Sequence, residues 1–358
     1  MLFDNQYQGR RVLITGHTGF KGSWLALWLT EMGAQVSALS LAPETTPNHW
    51  GKLNLDIADQ FIDIRNTEAT LNFVKKARPE IVFHLAAQPL VRRSYREPLE
   101  TWSTNVMGTA NLLDACRQTS SVLAIVVITT DKCYQNQEWD WGYRETDTLG
   151  GHDPYSASKA ATEFVVSSYR DSFFYDSDSP IVATARAGNV IGGGDWSEDR
   201  LVPDLVRAVT HNHSLEIRSP QATRPWQHVL ESLSGYLFLG QKLLQSQRDL
   251  AQGWNFGPDQ EGNLSVLEVL TKLKDQWPEL TWTTTNQAQS HEASLLYLDS
   301  TKAKKKLGWQ PVWGIDKTLE MTAEWYRAYC STGQIESKKQ LQEYISSAQK
   351  ICVEWSGS

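Results

Sequence analysis

The chain has 358 residues, of which 41% are hydrophobic and 21% charged, and its formal net charge is −7. This balance is typical of a globular protein with a sizeable core, which excludes a disordered or collagen-like chain. The acidic balance argues against a broad nucleic-acid-binding surface, although local sites for small anions remain possible.

Apolar runs of strand length alternate with helical patterns through the first half of the chain. In chain order they predict a strand at 12–15, a helix at 23–32, strands at 35–39 and 61–64, a helix at 67–77, a strand at 81–85, a long helix near 99–118, and strands at 122–128 and 181–186. Continuous apolar strands between helices indicate a parallel sheet covered on both faces. We therefore predict an α/β fold, a Rossmann-type doubly wound sheet whose ligands lie at the carboxyl ends of the strands.

The second half is less regular, with Gly, Pro and Trp concentrated at 188–226 and again at 253–258. We expect an NAD-binding Rossmann domain over 1–187, with returning segments near 228–256. A smaller, discontinuous C-terminal substrate domain is expected mainly over 188–330. Residues 331–358 are expected to form a polar helical tail.

The N-terminal sequence MLFDNQYQGRR has no apolar signal segment behind it, and the longest apolar run is too short to cross a bilayer. The four cysteines form no CxxC pair, which indicates reduced thiols. His211 and His213 are two residues apart with no further ligand nearby, so we predict no metal site. These features predict a soluble cytoplasmic protein without a membrane or nucleic-acid partner.

Three glycines, Gly16, Gly19 and Gly22, follow the first predicted strand in VLITGHTGFKG. In a dinucleotide-binding loop the first permits a tight turn, the second admits a pyrophosphate, and the third lets helix pack on strand. The N-terminus of the following helix offers free N–H groups to the phosphates. The motif predicts a dinucleotide cofactor, and a glycine-rich turn without ligand is the alternative.

The second predicted strand lacks the acidic residue that usually binds the adenosine ribose, since it runs into Ser40, Leu41 and Ala42. No arginine follows it along the chain to bind a 2′-phosphate, so we predict NAD rather than NADP. Asp63 and Ile64 are an expected adenine contact, with a strand-end cap as the alternative.

Tyr155 and Lys159 lie one helical turn apart and share a helix face. A nearby cation favours the phenolate, which can take a hydroxyl proton while a hydride leaves the same carbon. The fifth predicted strand ends in Thr-Thr-Asp-Lys at 129–132, where a doubly wound fold keeps its chemistry. β-propensity for the threonines and helix capping for the aspartate are the alternatives.

The glycine loop, the strand-end hydroxyl and the YxxxK motif resemble the extended short-chain dehydrogenase/reductase family over nearly the whole chain. Narrower motifs resemble its nucleotide-sugar 4,6-dehydratases, in particular those that act on CDP-glucose. These motifs are GHTGFKGSWL (16–25), HLAAQPLVRRSY (84–95), TTDKCYQN (129–136), RAGNVIGGGDW (186–196) and RPWQHVLE (224–231). The resemblance implies an NAD-dependent lyase that converts CDP-glucose to CDP-4-keto-6-deoxyglucose and water.

The resemblance also implies roles for the reaction centre. Tyr155 would accept the proton of the sugar 4-hydroxyl as hydride passes from C4 to NAD, with Thr130 holding O4. Asp131 would protonate the leaving C6 hydroxyl, and hydride would return to C6. Lys132 stands where the dTDP-glucose enzymes have Glu. It would act either as a C5 base with a lowered pKa or as an electrostatic partner of the developing enolate. Lys159 would also bind the nicotinamide ribose.

The remaining expected site residues form two sets. The cofactor-binding set is Gly16, Thr18, Gly19, Phe20, Lys21, Gly22, Asp63, Ile64, Leu85, Ala86, Ala87, Gln88, Thr104, Thr129, Tyr155 and Lys159. The substrate-binding set is Thr130, Asn189, Arg218, Arg224, Asn255 and His291. A guanidinium suits a diphosphate, although for Arg218 a solvated surface position is an equal alternative.

Other functions remain open on sequence alone. One is a 4,6-dehydratase or 4-epimerase of another nucleotide sugar, although Asp131 argues against simple epimerisation. Another is a non-catalytic NAD-binding sensor on the same fold, which would need neither Tyr155 nor Lys159. The family also implies a homodimer, formed through the helices near 99–118 and 153–173, and a product used in deoxysugar biosynthesis.

Overall fold

The structure is a computed structural model that describes residues 1–285 and 295–357. Its strands are β1 (Arg11–Thr15), β2 (Gln35–Ser40), β3 (Ala58–Phe61), β4 (Ile81–His84), β5 (Ala124–Ile128), β6 (Ile181–Ala187), β7 (Asn189–Ile191), β8 (Leu215–Ile217), β9 (Thr223–His228), β10 (Gly253–Phe256), β11 (Asn263–Ser265) and β12 (Trp282–Thr284). Its α-helices are α1 (Phe20–Glu31), α2 (His49–Leu53), α3 (Thr67–Ala77), α4 (Val91–Arg96), α5 (Pro98–Trp102), α6 (Gly108–Arg117), α7 (Pro154–Phe173), α8 (Leu201–Thr210), α9 (Val229–Leu244), α10 (Val266–Gln276), α11 (Ile315–Thr332) and α12 (Ser337–Lys350).

The largest sheet is parallel, with the strand order β10-β6-β5-β4-β1-β2-β3. Ile14 of β1 pairs with Ala38 of β2 on one side and with Phe83 of β4 on the other. The strand order therefore reverses beside β1, which opens a crevice at the carboxyl ends of β1 and β4. This sheet confirms the predicted Rossmann-type doubly wound fold.

Alternate residues of each central strand point into two separate cores. Ile14 and Val126 belong to the larger core, which α1 and α9 cover. Leu13 and Ile125 belong to the smaller core, under α3, α6 and α7. Every residue of β5 is buried, because helices cover both faces of the sheet. This burial explains why the central strands are visible in the sequence as continuous apolar runs.

The third strand is where the sequence prediction was wrong. β3 spans Ala58–Phe61, whereas the apolar run had predicted 61–64. β3 is an edge strand with mostly exposed side chains, so no apolar run marks it. The apolar residues that follow it, such as Ile64, instead pack beside the glycine at position 108. The other five predicted strands lie within two residues of the observed bounds at each end.

The second half of the chain adds smaller sheets above the crevice. β7, β9 and β11 form one sheet, and β8 pairs with β12. Between them the chain re-enters the large sheet, where β10 pairs in parallel with β6. The C-terminal residues pack back on the Rossmann unit, since Tyr344 of α12 donates to Glu231 of α9 and Trp355 stacks on Phe3.

Candidate active site

The loop between β1 and α1 is built for close backbone approach. Gly16 has a φ of +80°, and a Cβ there would lie 2.6 Å from the Ala86 nitrogen. A Cβ on Gly22 would lie 2.1 Å from the Gly16 carbonyl oxygen. Gly19 is the N-cap of α1 and has an ordinary φ of −78°. The N-terminus of α1 thus meets the cleft at Gly19, which has no side chain, and this arrangement fits the pyrophosphate of a dinucleotide.

A cleft of about 2780 Å³ runs along the carboxyl ends of the central strands. It starts at the glycine loop, passes the ends of β4 and β5, and continues along the segment at 187–219. A single small-molecule site usually has about 300–1,000 Å³. The cleft therefore has room for two ligands side by side.

Polar side chains from other parts of the chain contact the end of β2 and the segment that follows it. Thr18 Oγ1 lies 2.8 Å from Ser40 Oγ and donates to the Leu41 carbonyl. Glu44 lies 2.7 Å from Arg93 of α4, and both side chains line the cleft. Arg93 thus reaches the segment after β2 from a distant part of the chain, although no arginine follows β2 directly in the sequence.

Asp63 and Ile64 both line the cleft, as the adenine prediction requires. Arg65 donates to the Asp63 carboxylate at 2.9 and 2.6 Å, and this hydrogen bonding holds the pKa of Asp63 below its usual value. Asp63 therefore presents an ionised, oriented carboxylate.

The loop after β4 is held by hydrogen bonds of the Gln88 side chain. Leu85, Ala86 and Ala87 line the cleft, as does Thr104. The Gln88 side chain donates to Thr101 Oγ1 at 2.8 Å and accepts from a backbone N–H within its own loop. The side-chain amide of Gln88 therefore holds the conformation of this loop, and Gln88 also lines the cleft.

Asn105 ties this loop to the helix that carries Tyr155. It sits in a wide turn, Ser103–Met107, that joins α5 to α6. Its amide accepts from the Gln88 N–H and donates to Ser158 Oγ of α7 at 2.8 Å. Asn105 therefore joins the loop after β4 to α7.

Asp131 follows β5 and is almost fully buried. Thr130 Oγ1 donates to one of its carboxylate oxygens at 3.0 Å, and within the described residues the other oxygen has no hydrogen-bond partner. Burial raises the pKa of Asp131, which the positive charge of Lys132 opposes. A buried carboxyl group with a raised pKa and one free oxygen is suited to proton donation.

Tyr155 and Lys159 lie on the first turns of α7. Burial raises the pKa of Tyr155 to about 12, against the smaller lowering effect of the Thr130 side chain. Lys159 Nζ donates to the Ile128 carbonyl at 3.2 Å. Burial lowers the pKa of Lys159 to about 8. A phenol, a hydroxyl and a carboxyl group are therefore assembled beside a buried ammonium.

Lys21, at the start of α1, adds a second, partly buried lysine. It lines the cleft and donates to the Tyr236 hydroxyl at 3.2 Å. Burial lowers its pKa to about 7, with Arg200 contributing in the same direction and Asp131 opposing.

Three predicted substrate residues line the cleft beyond Thr130, namely Asn189, Arg218 and Arg224. Arg224 is close enough to the reaction centre for its charge to lower the pKa of Asp131, against the larger effect of burial. His291 lies outside the described residues.

The structure does not bring Asn255 to the cleft. Its side chain is fully buried on β10, where it accepts from Tyr134 at 2.7 Å and donates to the carbonyls of Tyr143 and Asp299. The resemblance had suggested substrate contact, but every polar atom of this amide is engaged inside the protein.

Arg200 is one of several cleft cations that the sequence did not predict. It lines the cleft and pairs at 2.9 Å with Asp195, a buried carboxylate. Its charge lowers the pKa of Tyr155, against the larger effect of burial. No local pattern marked Arg200, because its approach to Tyr155 depends on how the segment after β7 folds.

Residues 1–285 and 295–357 contain no group of three or more His, Cys, Asp or Glu side chains that could hold a metal ion. No α-helix in the same ranges is long and apolar enough to span a membrane.

Fold and site together define a Rossmann-type protein with a tyrosine–lysine reaction centre beside a dinucleotide loop. The chain matches the model of the family described as GDP-mannose 4,6 dehydratase over residues 13–322. A CDP-glucose 4,6-dehydratase of Salmonella typhimurium is 47% identical over 97% of this chain and 99% of its own length. The chain therefore belongs to this family of nucleotide-sugar 4,6-dehydratases.

Solved structures share the fold. DesIV, a dTDP-glucose 4,6-dehydratase from Streptomyces venezuelae crystallised with NAD and TYD, has a TM-score of 0.76 at 22% identity, covering 88% of this chain and 97% of its own. MoeE5, in complex with UDP-glucuronic acid and NAD, has a TM-score of 0.72 at 27% identity, covering 88% and 98%.

Proposed function

We propose that this chain is an NAD-dependent CDP-glucose 4,6-dehydratase, which converts CDP-glucose to CDP-4-keto-6-deoxyglucose and water. The observation that carries this proposal is the meeting of Tyr155, Thr130 and Asp131 at the carboxyl end of β5. Elimination of water needs a proton acceptor at O4 and a proton donor at O6, and this centre supplies both types of group. The 47% identical relative supports the choice of CDP-glucose among nucleotide sugars.

The residues that would hold the cofactor line one half of the cleft. We infer that the pyrophosphate binds at Gly16, Thr18, Gly19, Phe20, Lys21 and Gly22, and the adenine at Asp63 and Ile64. The remaining part of the cofactor is inferred to bind at Leu85, Ala86, Ala87, Gln88, Thr104, Thr129, Tyr155 and Lys159. When bound, NAD would supply oxidation at C4 and return the same two electrons to C6. Its positive nicotinamide ring would also favour the phenolate of Tyr155.

Tyr155 takes the proton from the 4-hydroxyl in this scheme, while Thr130 holds O4 beside it. The resulting 4-ketone acidifies the C5 proton. Asp131 then protonates the C6 hydroxyl, which leaves as water once the C5 proton has been removed. The raised pKa of Asp131 favours the acid form that this step requires.

Lys132 lines the cleft next to Asp131 and is the remaining candidate for the C5 step. A charged ammonium cannot accept a proton, so a base role requires its neutral form. As a cation it would stabilise the enolate that develops on O4. We propose that it takes part in elimination in one of these two ways.

The other half of the cleft would hold the nucleotide sugar. Arg224 and Arg218 are proposed to bind the diphosphate, for which a guanidinium fork is well matched. Asn189 is proposed to bind next to them.

We also infer the domain organisation that the sequence predicted. Residues 1–187, with the returning segments near 228–256, would bind the cofactor, and residues 188–330 would mainly bind the sugar nucleotide. Residues 331–358 would form a helical tail.

We further propose a cytoplasmic homodimer. Large apolar side chains are exposed on α5, the wide turn and α7, and such a patch is typical of an interaction surface. They are Leu99 (82% exposed), Trp102 (39%), Met107 (57%) and Phe164 (61%). These helices fall in the two regions that the sequence predicted for dimerisation.

The test of the proposed function is turnover of matched substrates. Purified protein with NAD is incubated separately with CDP-, dTDP- and UDP-glucose, and the 4-keto-6-deoxy product is measured by NMR. We expect the CDP sugar to give the highest kcat/KM. Faster turnover of another nucleotide would preserve the chemistry and refute the assigned base, whereas no turnover would refute the enzyme assignment.

A further inference from the structure

Residues on both sides of the catalytic segment, defined as 130–132, reach one buried ion pair. On the N-terminal side, Thr129 Oγ1 donates to Glu163 Oε1 at 2.5 Å. On the C-terminal side, the Tyr134 hydroxyl accepts from Arg186 Nη1 at 2.7 Å. The segment that carries Thr130 and Asp131 is thus anchored at both ends.

The ion pair itself is fully formed. Arg186 donates through Nε and Nη2 to the two oxygens of Glu163, at 2.9 and 2.8 Å, and each side chain is 5% exposed. Thr184 Oγ1 supplies another hydrogen bond to the same carboxylate at 2.7 Å. The Tyr134 hydroxyl donates onward to Asn255. These contacts leave the pair no orientational freedom.

The pair also belongs to the helix that carries the proton acceptor. Glu163 follows Lys159 by one turn of α7 and Tyr155 by two, so the three side chains lie along one face. The carboxylate raises the pKa of Lys159 against the larger effect of burial. One anion therefore contacts Thr129, the residue before the catalytic segment, and acts on the ammonium of Lys159 on α7.

We propose that Glu163 and Arg186 are a positioning pair that sets the catalytic segment against Tyr155 and Lys159 by holding both of its flanks. The proposal rests on the proposed function, whose site it completes. A buried ion pair is weak evidence of stabilisation, because the cost of desolvating two charges offsets their attraction. A role in fixing the geometry for proton transfer therefore explains this buried pair better than a role in stabilising the fold.

Two variants weaken the arrangement to different degrees. Tyr134→Phe removes the hydroxyl between Arg186 and Asn255 without exposing an unpaired charge. Glu163→Gln removes the carboxylate charge itself. The matched control is Glu231→Gln, because Glu231 is a buried carboxylate that accepts hydrogen bonds from the 312 and 313 backbone N–H groups and does not line the cleft.

Kinetics with CDP-glucose provide the first readout. We expect Tyr134→Phe to lower kcat roughly tenfold with little change in KM, since misplaced groups cost rate more than binding. In Glu163→Gln the pKa of Lys159 should fall further, so the alkaline limb of the kcat profile moves to lower pH. The proposal would be overturned if both variants kept the wild-type kcat and the wild-type pH profile. A decrease in Tm no larger than that of Glu231→Gln would then show a role in stability alone.

Hydrogen exchange provides a readout that does not depend on turnover. Amides at 129–135 should exchange faster in Tyr134→Phe and Glu163→Gln than in wild type, and not faster in Glu231→Gln. Unchanged protection at 129–135 would overturn the positioning role even in an active enzyme. Absence of wild-type turnover would instead refute the proposed function, and if Glu163→Gln fails to fold, Tyr134→Phe decides the test alone.

Discussion

At the scale of single residues, the chemistry depends on burial acting on neighbouring groups in different directions. The same desolvation that raises the pKa of the Asp131 carboxyl and the Tyr155 phenol lowers that of the Lys159 ammonium. The acid form of Asp131 is thereby favoured, and the pKa of Lys159 is lowered to about 8. Sequence spacing identified these residues, but not the burial that tunes them.

Replacing Asp131 with Asn should separate the two halves of the reaction. The amide cannot protonate the leaving hydroxyl, so elimination should slow by about 10²- to 10⁴-fold while oxidation at C4 persists. Reduced nicotinamide should then build up in a single turnover, as followed by its absorbance. Unchanged elimination, or equal loss of oxidation and elimination, would contradict this role.

Lys132→Met tests the residue whose role the sequence left open. We expect slower release of deuterium from C5-labelled CDP-glucose, because neither a base nor a cation would remain at this position. The measurement is the rate of solvent exchange at C5 beside the rate of elimination. Elimination at the wild-type rate would rule out both proposed roles.

At the scale of elements, strands buried between helices were predictable and the edge strand was not. β3 carries no apolar run because it is exposed, so the sequence pattern moved the prediction onto the residues that follow it. The glycine loop was predictable because its spacing reflects local geometry. Contacts between distant segments, such as Arg93 with Glu44 and Arg186 with Glu163, leave no such local signal.

The glycine loop yields a contrast between two substitutions. Gly19→Ala adds a methyl group 3.4 Å from the nearest atom, whereas Gly22→Ala places it 2.1 Å from a backbone oxygen. Both should lose NAD affinity, but only Gly22→Ala should lose much stability. Without NAD we expect the free energy of unfolding of Gly19→Ala to lie within about 1 kcal/mol of the wild-type value. Calorimetric titration with NAD and thermal unfolding measure the two effects, and equal stability of both variants would contradict this account.

At the scale of the whole molecule, the proposed interface and the cleft share an element, because α7 carries both the cleft residues Tyr155 and Lys159 and the exposed side chain of Phe164. Substitution of Leu99 and Phe164 together by Glu should convert the proposed dimer to a monomer, because charges would enter its apolar centre. Light scattering measures the mass. Phe61→Glu is the control, since Phe61 is 60% exposed on the edge strand β3, outside the proposed interface. A monomeric wild type would refute the dimer.

The central claim is a dehydration in which the hydrogen removed from C4 is returned within the same molecule. Its most direct test is incubation of the purified protein with NAD and CDP-glucose deuterated at C4, followed by mass spectrometry and NMR of the product. We predict the loss of one water and the appearance of the deuterium at C6. Recovery of unchanged CDP-glucose, or a product whose C6 hydrogen comes from solvent, would contradict the account.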